Sequence, residues 1–223
     1  MEVIHQKTPQ VAQWKPGTRI AVLGLPSGLT HTVRPGVVVD RGQRRDHPPG
    51  RNSDPATDVV IGSAREKCIA AGLMLCWPCD LIIAADNAQF SDPVGLMGMP
   101  GVEAFAHPWE FGPRRAKQIL FTASSLSAEQ ARECGTVNEV VPLESLVSRT
   151  MEIAATVAAM DPWAVRLAKR AVNSAVDAMS FSNSINASFD VHHLGHARAI
   201  AHTSGRTSVV ADLAAMKAAA SKG

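Results

Sequence analysis

Cys76-Trp77-Pro78-Cys79 is the most conspicuous reactive spacing in the chain. Two thiols three apart with a proline between them form the pattern of thioredoxin-like oxidoreductases, where a helix N-terminus lowers the pKa of the first thiol. Here the pair follows a helical pattern and precedes a strand pattern, so the dipole at a helix C-terminus opposes the thiolate. No second C-x-x-C completes a zinc site, and Cys68 and Cys134 stand alone. Buried structural thiols are the favoured reading, and thiol-disulfide exchange through Cys76 and Cys79 is the lesser one. A second grouping, Asp190-Val191-His192-His193-Leu194-Gly195-His196, sets His192 and His196 four apart. On a helix they share a face and can hold a divalent metal if a third ligand joins them. Gly195 interrupts that helix, no nearby glutamate completes the metalloprotease spacing, and His107 is remote in sequence. The expectation is no metal.

The elements that position these groups fall into three textures. Residues 1–62 hold seven of the fourteen prolines, and the stretch RGQRRDHPPGR over 41–51 is almost wholly Arg, Gly, Pro and Asp. Such composition buries little apolar surface to offset chain entropy, so this segment is expected to be poorly ordered. Two short runs in it, Ile20 to Leu25 and Gly36 to Val39, have strand character. From 63 to 142 short strands and helices alternate, which argues for an α/β core with parallel pairing. Asp58-Val59-Val60-Ile61, Leu81-Ile82-Ile83-Ala84 and Ala88-Gln89-Phe90-Ser91 read as strands. Cys68 to Trp77 reads as one buried helix ended by Pro78, and Arg114 to Phe121 as another. Ser125 or Ser127 followed by Glu129 or Gln130 has the look of a capping box, and Val137 to Val141 is a brief strand. Over 143–223, Leu143 to Met160 and Asp161 to Met179 predict long amphipathic helices, and further Ala-rich helix closes the chain.

Composition narrows the function classes. The chain has 223 residues, 46% apolar and 19% charged, with a net charge of +2 at pH 7. That length closes a sizeable core without disulfide staples. The near-balanced charge leaves no footprint for nucleic acid, and no Lys/Arg cluster marks a membrane surface. Ile69 to Trp77, the longest apolar stretch, is about half of the roughly 20 residues a bilayer span needs. The start, MEVIHQKTPQ, lacks a basic segment followed by an apolar one, so the cytoplasm is the expected compartment. Tyrosine is absent, which removes phenol chemistry.

Six short signatures, the last in two parts, then fall into one order. Ala70-Ala71-Gly72 is a small-residue turn entering a helix, and Cys79-Asp80-Leu81-Ile82-Ile83-Ala84-Ala85 follows it. Next come Ala88-Gln89-Phe90 with Pro93, then Gly112-Pro113-Arg114-Arg115-Ala116 and Phe121-Thr122-Ala123. Ser127-Ala128-Glu129-Gln130-Ala131 and Gly135-Thr136-Val137-Asn138-Glu139-Val140-Val141-Pro142 complete the series. In this register the run from Lys67 to Pro142 resembles the enoyl-CoA hydratase/isomerase (crotonase) family. The resemblance implies an α/β fold with a crotonase-like (ClpP/crotonase) core, incomplete at the N-terminus, followed by a C-terminal helical layer that in the family clasps neighbouring subunits. The match begins near the change of composition, which reads as a replaced or truncated N-terminus.

The resemblance implies chemistry on a coenzyme A thioester, with coenzyme A entering as part of the substrate and no separate cofactor. An acyl-CoA partner and a homotrimer or hexamer follow from it, with no nucleic-acid or membrane partner. Family members hold the thioester carbonyl in an oxyanion hole of two backbone N–H groups. One of these falls here on Ala71, followed by Gly72, and the other comes from a loop in the N-terminal half that has no counterpart before residue 62. The two glutamates that serve hydration in the family fall on Met74 and Val94, neither of which accepts a proton. Hydration of a trans-2-enoyl-CoA is the family default, and a catalytically inactive remnant is the alternative. Among carboxylates that can take over, Glu103, just after the Pro100-Gly101 turn, is the leading acid/base candidate. Asp92 is the second, although a residue before Pro93 can serve only to shape the turn. His107 and Glu110 follow Glu103 at helical spacing, with a solvated helix as the plainer expectation.

Overall fold

The computed structural model describes residues 19–24, 38–40, 59–209 and 214. Eight strands and seven α-helices lie among them: β1 Arg19–Gly24, β2 Val38–Asp40, β3 Val59–Ala64, β4 Lys67–Ile69, α1 Ala71–Cys76, β5 Leu81–Ala85, β6 Gln89–Ser91, α2 His107–Phe111, α3 Pro113–Thr122, β7 Ser125–Ser127, α4 Ala128–Glu133, β8 Glu139–Val141, α5 Leu146–Ala159, α6 Pro162–Ala178 and α7 Phe181–Thr203. One sheet runs in the order β2-β1-β3-β5-β8, and a second in the order β4-β6-β7. In the first, β1, β3, β5 and β8 are parallel and β2 is antiparallel to β1. The two N-terminal runs with strand character therefore join the sheet. The expectation of disorder for the rest of 1–58 lies outside the described residues, and β3 crosses the 62/63 boundary read from composition.

Strand β5 shows why a continuous apolar run forms here. Side chains alternate across a strand, and Ile82 and Ala84 enter one buried cluster while Ile83 and Ala85 enter another. The second cluster is closed by Leu146, Ala154 and Ala158 of α5, which lies across β1, β3 and β5. A strand covered on both faces has no polar side to show. Each large aliphatic side chain buried there contributes about 1.5–3 kcal/mol.

Two polar residues fix the beginning of this strand. Asp80 accepts from the Val60 amide at 2.7 Å and from Lys169 Nζ of α6 at 2.8 Å, so one carboxylate joins the start of β5 to β3 and to the helical layer. Asn138 Oδ1 accepts from the Ile82 amide at 2.7 Å, while the Asn138 amide donates to Ile82 O at 2.8 Å. A side-chain amide thus extends the ladder one step beyond β8. Of the alternatives for the capping box, Ser127 with Gln130 is the pair formed.

The segment read as one helix from Cys68 to Trp77 is instead a strand, a break and a short helix. Cys68 pairs with Phe90 in the β4–β6 ladder, and Ala70, at φ 50° and ψ −107°, stops the strand before α1 begins. Apolar residues buried on every side read alike as helix or strand, and only the backbone at Ala70 separates them. Helix α7 also differs from expectation: it runs unbroken through Gly195. A Cβ at Gly195 would stand 2.9 Å from Gly98 O and 3.0 Å from Met99 Cα. The glycine there permits close approach and does not end the helix.

Candidate active site

The turn into α1 is anchored from the second sheet. The Ala70 amide donates to Ser91 O at 3.0 Å, extending the β4–β6 pairing by one bond, and Ala70 O accepts from the Leu73 amide at 2.8 Å. Ala71 then occupies the first helical position, where a backbone N–H has no acceptor within the helix, and the residue is exposed. A Cβ at Gly72 would meet only Cys68 Cβ at 3.9 Å, an ordinary contact. The two residues expected to lend backbone donors thus stand where an amide is free to point away from its own helix.

Met74 lies one turn further along α1. It packs, with Ala70, Trp77 and Met97, against the buried cluster of Val94, Met99 and Val102. The two positions that resemblance assigns to acids therefore meet in one apolar cluster, and Val102, next to Glu103, belongs to it.

Asp92 is fully buried, and donors surround it. Its Oδ1 accepts from the Val94 amide at 3.1 Å, and its Oδ2 accepts from the Val102 amide and His107 Nε2, each at 2.8 Å. One carboxylate caps the short 3-10 helix Pro93–Met97 and ties it to the 101–103 turn and to α2. His107 heads α2 and is fully buried, contrary to the solvated helix expected there. Its ring lies edge-on to Trp77 at 4.9 Å between centres and tilted against Phe105 at 4.6 Å. A buried histidine at a helix start is held there by its carboxylate partner, which hydropathy alone does not reveal.

Glu103 sits in the irregular stretch before α2, not at a helix start, and its side chain is 51% exposed. Its Oε1 lies 3.6 Å from His192 Nε2 of α7. His192 is buried, its Nδ1 is 2.8 Å from Gly101 O, and its Nε2 is 3.0 Å from His196 Nε2. His196 Nδ1 in turn lies 2.7 Å from Thr207 O. Glu103 and the His192/His196 pair stand far apart in the sequence. Their meeting across 89 residues carries no local signal. Helix α7 is held over the turn partly by Trp109 of α2, whose Nε1 donates to Ser184 Oγ at 2.8 Å and whose ring meets Phe181 at 5.4 Å.

Glu110, in α2, is partly buried, and burial pushes its carboxyl from the usual 4.5 up to about 7. Between those values the folded state binds more protons than the unfolded one, so stability falls as pH rises through the window and the cost is constant above it. Glu110→Gln is therefore expected to stabilise the protein by about 1–2 kcal/mol above pH 7, after allowance for solvent screening, with no gain near pH 4.5. Urea denaturation at the two pH values checks this.

The thiols are poorly disposed to react. Cys76 ends α1, fully buried, and its hydrogen bond with Cys68 together with burial raises its pKa well above the ordinary value. Burial, with the Asp80 charge adding to it, pushes Cys79 up to about 12. Neither is a ready thiolate at neutral pH, which opposes thiol-disulfide exchange. All four cysteines are free. Among the described residues no group of three metal-binding side chains is present, and no helix is long and apolar enough to cross a membrane.

The ordered series of short segments lies within a match to a family model: residues 55–208 match that of the enoyl-CoA hydratase/isomerase family. The chain belongs to the enoyl-CoA hydratase/isomerase family and has its crotonase-like fold. It is similar to the solved structure of a probable enoyl-CoA hydratase from Mycobacterium smegmatis, at 47% identity and TM-score 0.67 over 68% of this chain and 62% of that one. A probable enoyl-CoA hydratase from Mycobacterium thermoresistibile compares at 45% and 0.67 over 69% and 63%. EchA13 of Mycobacterium tuberculosis, provisionally named an enoyl-CoA hydratase, is 42% identical over 67% of this chain and 48% of its own length. The crotonyl-CoA hydratase of Syntrophomonas wolfei is 39% identical over 51% and 45%. The chain thus spans about half the length of the curated relatives it matches.

Proposed function

We propose that the chain binds acyl-CoA thioesters and moves a proton on the carbon next to the thioester carbonyl. The reading is carried by one observation: Ala70, Met74, Val94 and Val102 meet in a single apolar cluster, and Ala71 and Glu103 follow directly on two of its members, Ala70 and Val102. In this reading the Ala71 N–H donates to the thioester oxygen, where negative charge grows as the neighbouring C–H bond breaks. Glu103 takes the proton as a carboxylate and returns it as an acid, to the same carbon or to one conjugated with it. Coenzyme A enters with the substrate, and no further cofactor is required.

Hydration by two carboxylates has no support in the residues present, since Met74 and Val94 lack a group that can hold a proton or orient water. A single carboxylate suffices for isomerase-type proton transfer. Asp92, with both oxygens engaged by three donors, serves in this reading to hold the turn that carries Glu103. Helix α6 has no buried residue and exposes Trp163, Leu167 and Val172, which supports a subunit contact and hence a homotrimer or hexamer. A cytoplasmic location belongs to the same reading.

The test is deuterium incorporation into an acyl-CoA in heavy water, read by mass spectrometry, together with conversion of a 3-enoyl-CoA to its 2-enoyl isomer. Glu103→Gln is expected to lower both rates by about 10²–10⁴-fold, the usual contribution of a general acid/base. Tight binding of crotonyl-CoA without exchange would select the inactive-remnant reading instead. Failure to bind any CoA thioester would remove the ligand class.

A further inference from the structure

Two ring nitrogens face each other in an arrangement that neutral imidazoles cannot satisfy. His192 Nδ1 lies 2.8 Å from Gly101 O, and His196 Nδ1 lies 2.7 Å from Thr207 O. A carbonyl oxygen only accepts, so each Nδ1 carries a hydrogen, and in a neutral ring that leaves Nε2 as a bare lone pair. Yet the two Nε2 atoms are 3.0 Å apart, which is hydrogen-bond distance. Lone pairs held so close repel. One additional proton between them converts repulsion into a charge-assisted bond. Glu103 Oε1, 3.6 Å from His192 Nε2, supplies the compensating negative charge.

We propose that His192 and His196 share one proton between their Nε2 atoms, and that this singly charged pair anchors the Glu103 carboxylate at the acyl-CoA site. The inference rests on the reading of Glu103 as the acid/base group, and it makes the two histidines positioning residues that need not touch substrate. The groups facing the pair fit one positive charge. From the turn before α2 come Glu103 and the Gly101 carbonyl, and from the chain beyond α7 the Thr207 carbonyl. On α7 itself, the ring of His193 is centred 6.3 Å from that of His192 and 6.4 Å from that of His196. Asp92 and His107 lie behind the same turn, engaged with each other and with the Val102 amide.

A proton fits the gap better than a divalent cation does. Tetrahedral zinc with Zn–N bonds of about 2.0–2.1 Å separates its ligand nitrogens by about 3.3 Å, wider than the 3.0 Å found.

The experiment is nitrogen-15 NMR of the full chain, with labelled histidine, at neutral pH. A scalar coupling between the two Nε2 nuclei through the shared hydrogen is expected, with both Nδ1 atoms protonated. His196→Gln is expected to abolish the coupling and to lower kcat for proton exchange by about ten- to a hundredfold with KM unchanged, as misplacement of a catalytic group does. Absence of coupling in the unaltered protein, with each Nε2 resonating as a bare lone pair, overturns the proposal. So does added Zn²⁺ binding both rings in place of the hydrogen. Coupling present while Glu103→Gln leaves exchange unaffected overturns the functional reading alone. Coupling absent while Glu103→Gln abolishes exchange overturns the shared proton alone.

Discussion

Ala71→Pro should lower the rate of α-proton exchange on an acyl-CoA by about 10²–10³-fold, the cost of deleting one oxyanion donor. The substitution is selective because of where Ala71 sits. At the first position of α1 its N–H has no helical acceptor to lose, and the fixed φ of proline suits a helix start, while Ala70 before it, at φ 50° and ψ −107°, lies outside the extended region favoured ahead of proline. Far-UV circular dichroism and the melting temperature are read alongside the rate, and the loss is assigned to the amide where both match the unaltered protein. Ala71→Ser, which keeps the amide and adds a small side chain on an exposed residue, is the control and should retain near-normal exchange. Equal activity of Ala71→Pro and the unaltered protein would remove this amide from the chemistry.

The largest effect on stability is expected from Asp92→Ala. The substitution leaves the Val94 amide, the Val102 amide and His107 Nε2 without their acceptor, all in a region where Asp92 and His107 are fully buried. Removing one member of such a buried pair costs about 3–5 kcal/mol. For a domain of this size that corresponds to a fall in Tm of roughly 10 °C. Calorimetry measures it directly, and a change below a tenth of that figure would mean that water takes over the vacated contacts. A more conservative Asp92→Asn should lie between, since one oxygen still accepts while the new N–H₂ group faces donors.

What the residues alone disclose, and what they withhold, divides along a physical line. Strand β5 is legible because both faces are covered and nothing in Leu-Ile-Ile-Ala-Ala has to be polar. The cap at Ser127 is legible because its partners lie within three residues. Both are local. The break at Ala70 is hidden because a positive φ at an alanine contradicts its usual preference and its amide bonds Ser91 O, on a strand remote in sequence. His107 is misread as solvated because its partner, Asp92, is fifteen residues earlier on another element. The candidate site divides in the same way. The small-residue turn and the apolar residues at the two acid positions follow from ordered short segments, whereas the contact of Glu103 with His192 depends on how α7 is laid across the turn.

Helix α7 rests on the Gly98–Met99 backbone with no more than a hydrogen atom's width to spare at Gly195, and one residue further on it carries a histidine of the facing pair. There is no slack in that seat to absorb movement. Displacement of the Gly98–Met99 loop toward α7 therefore meets helix backbone at once and moves the imidazoles with it.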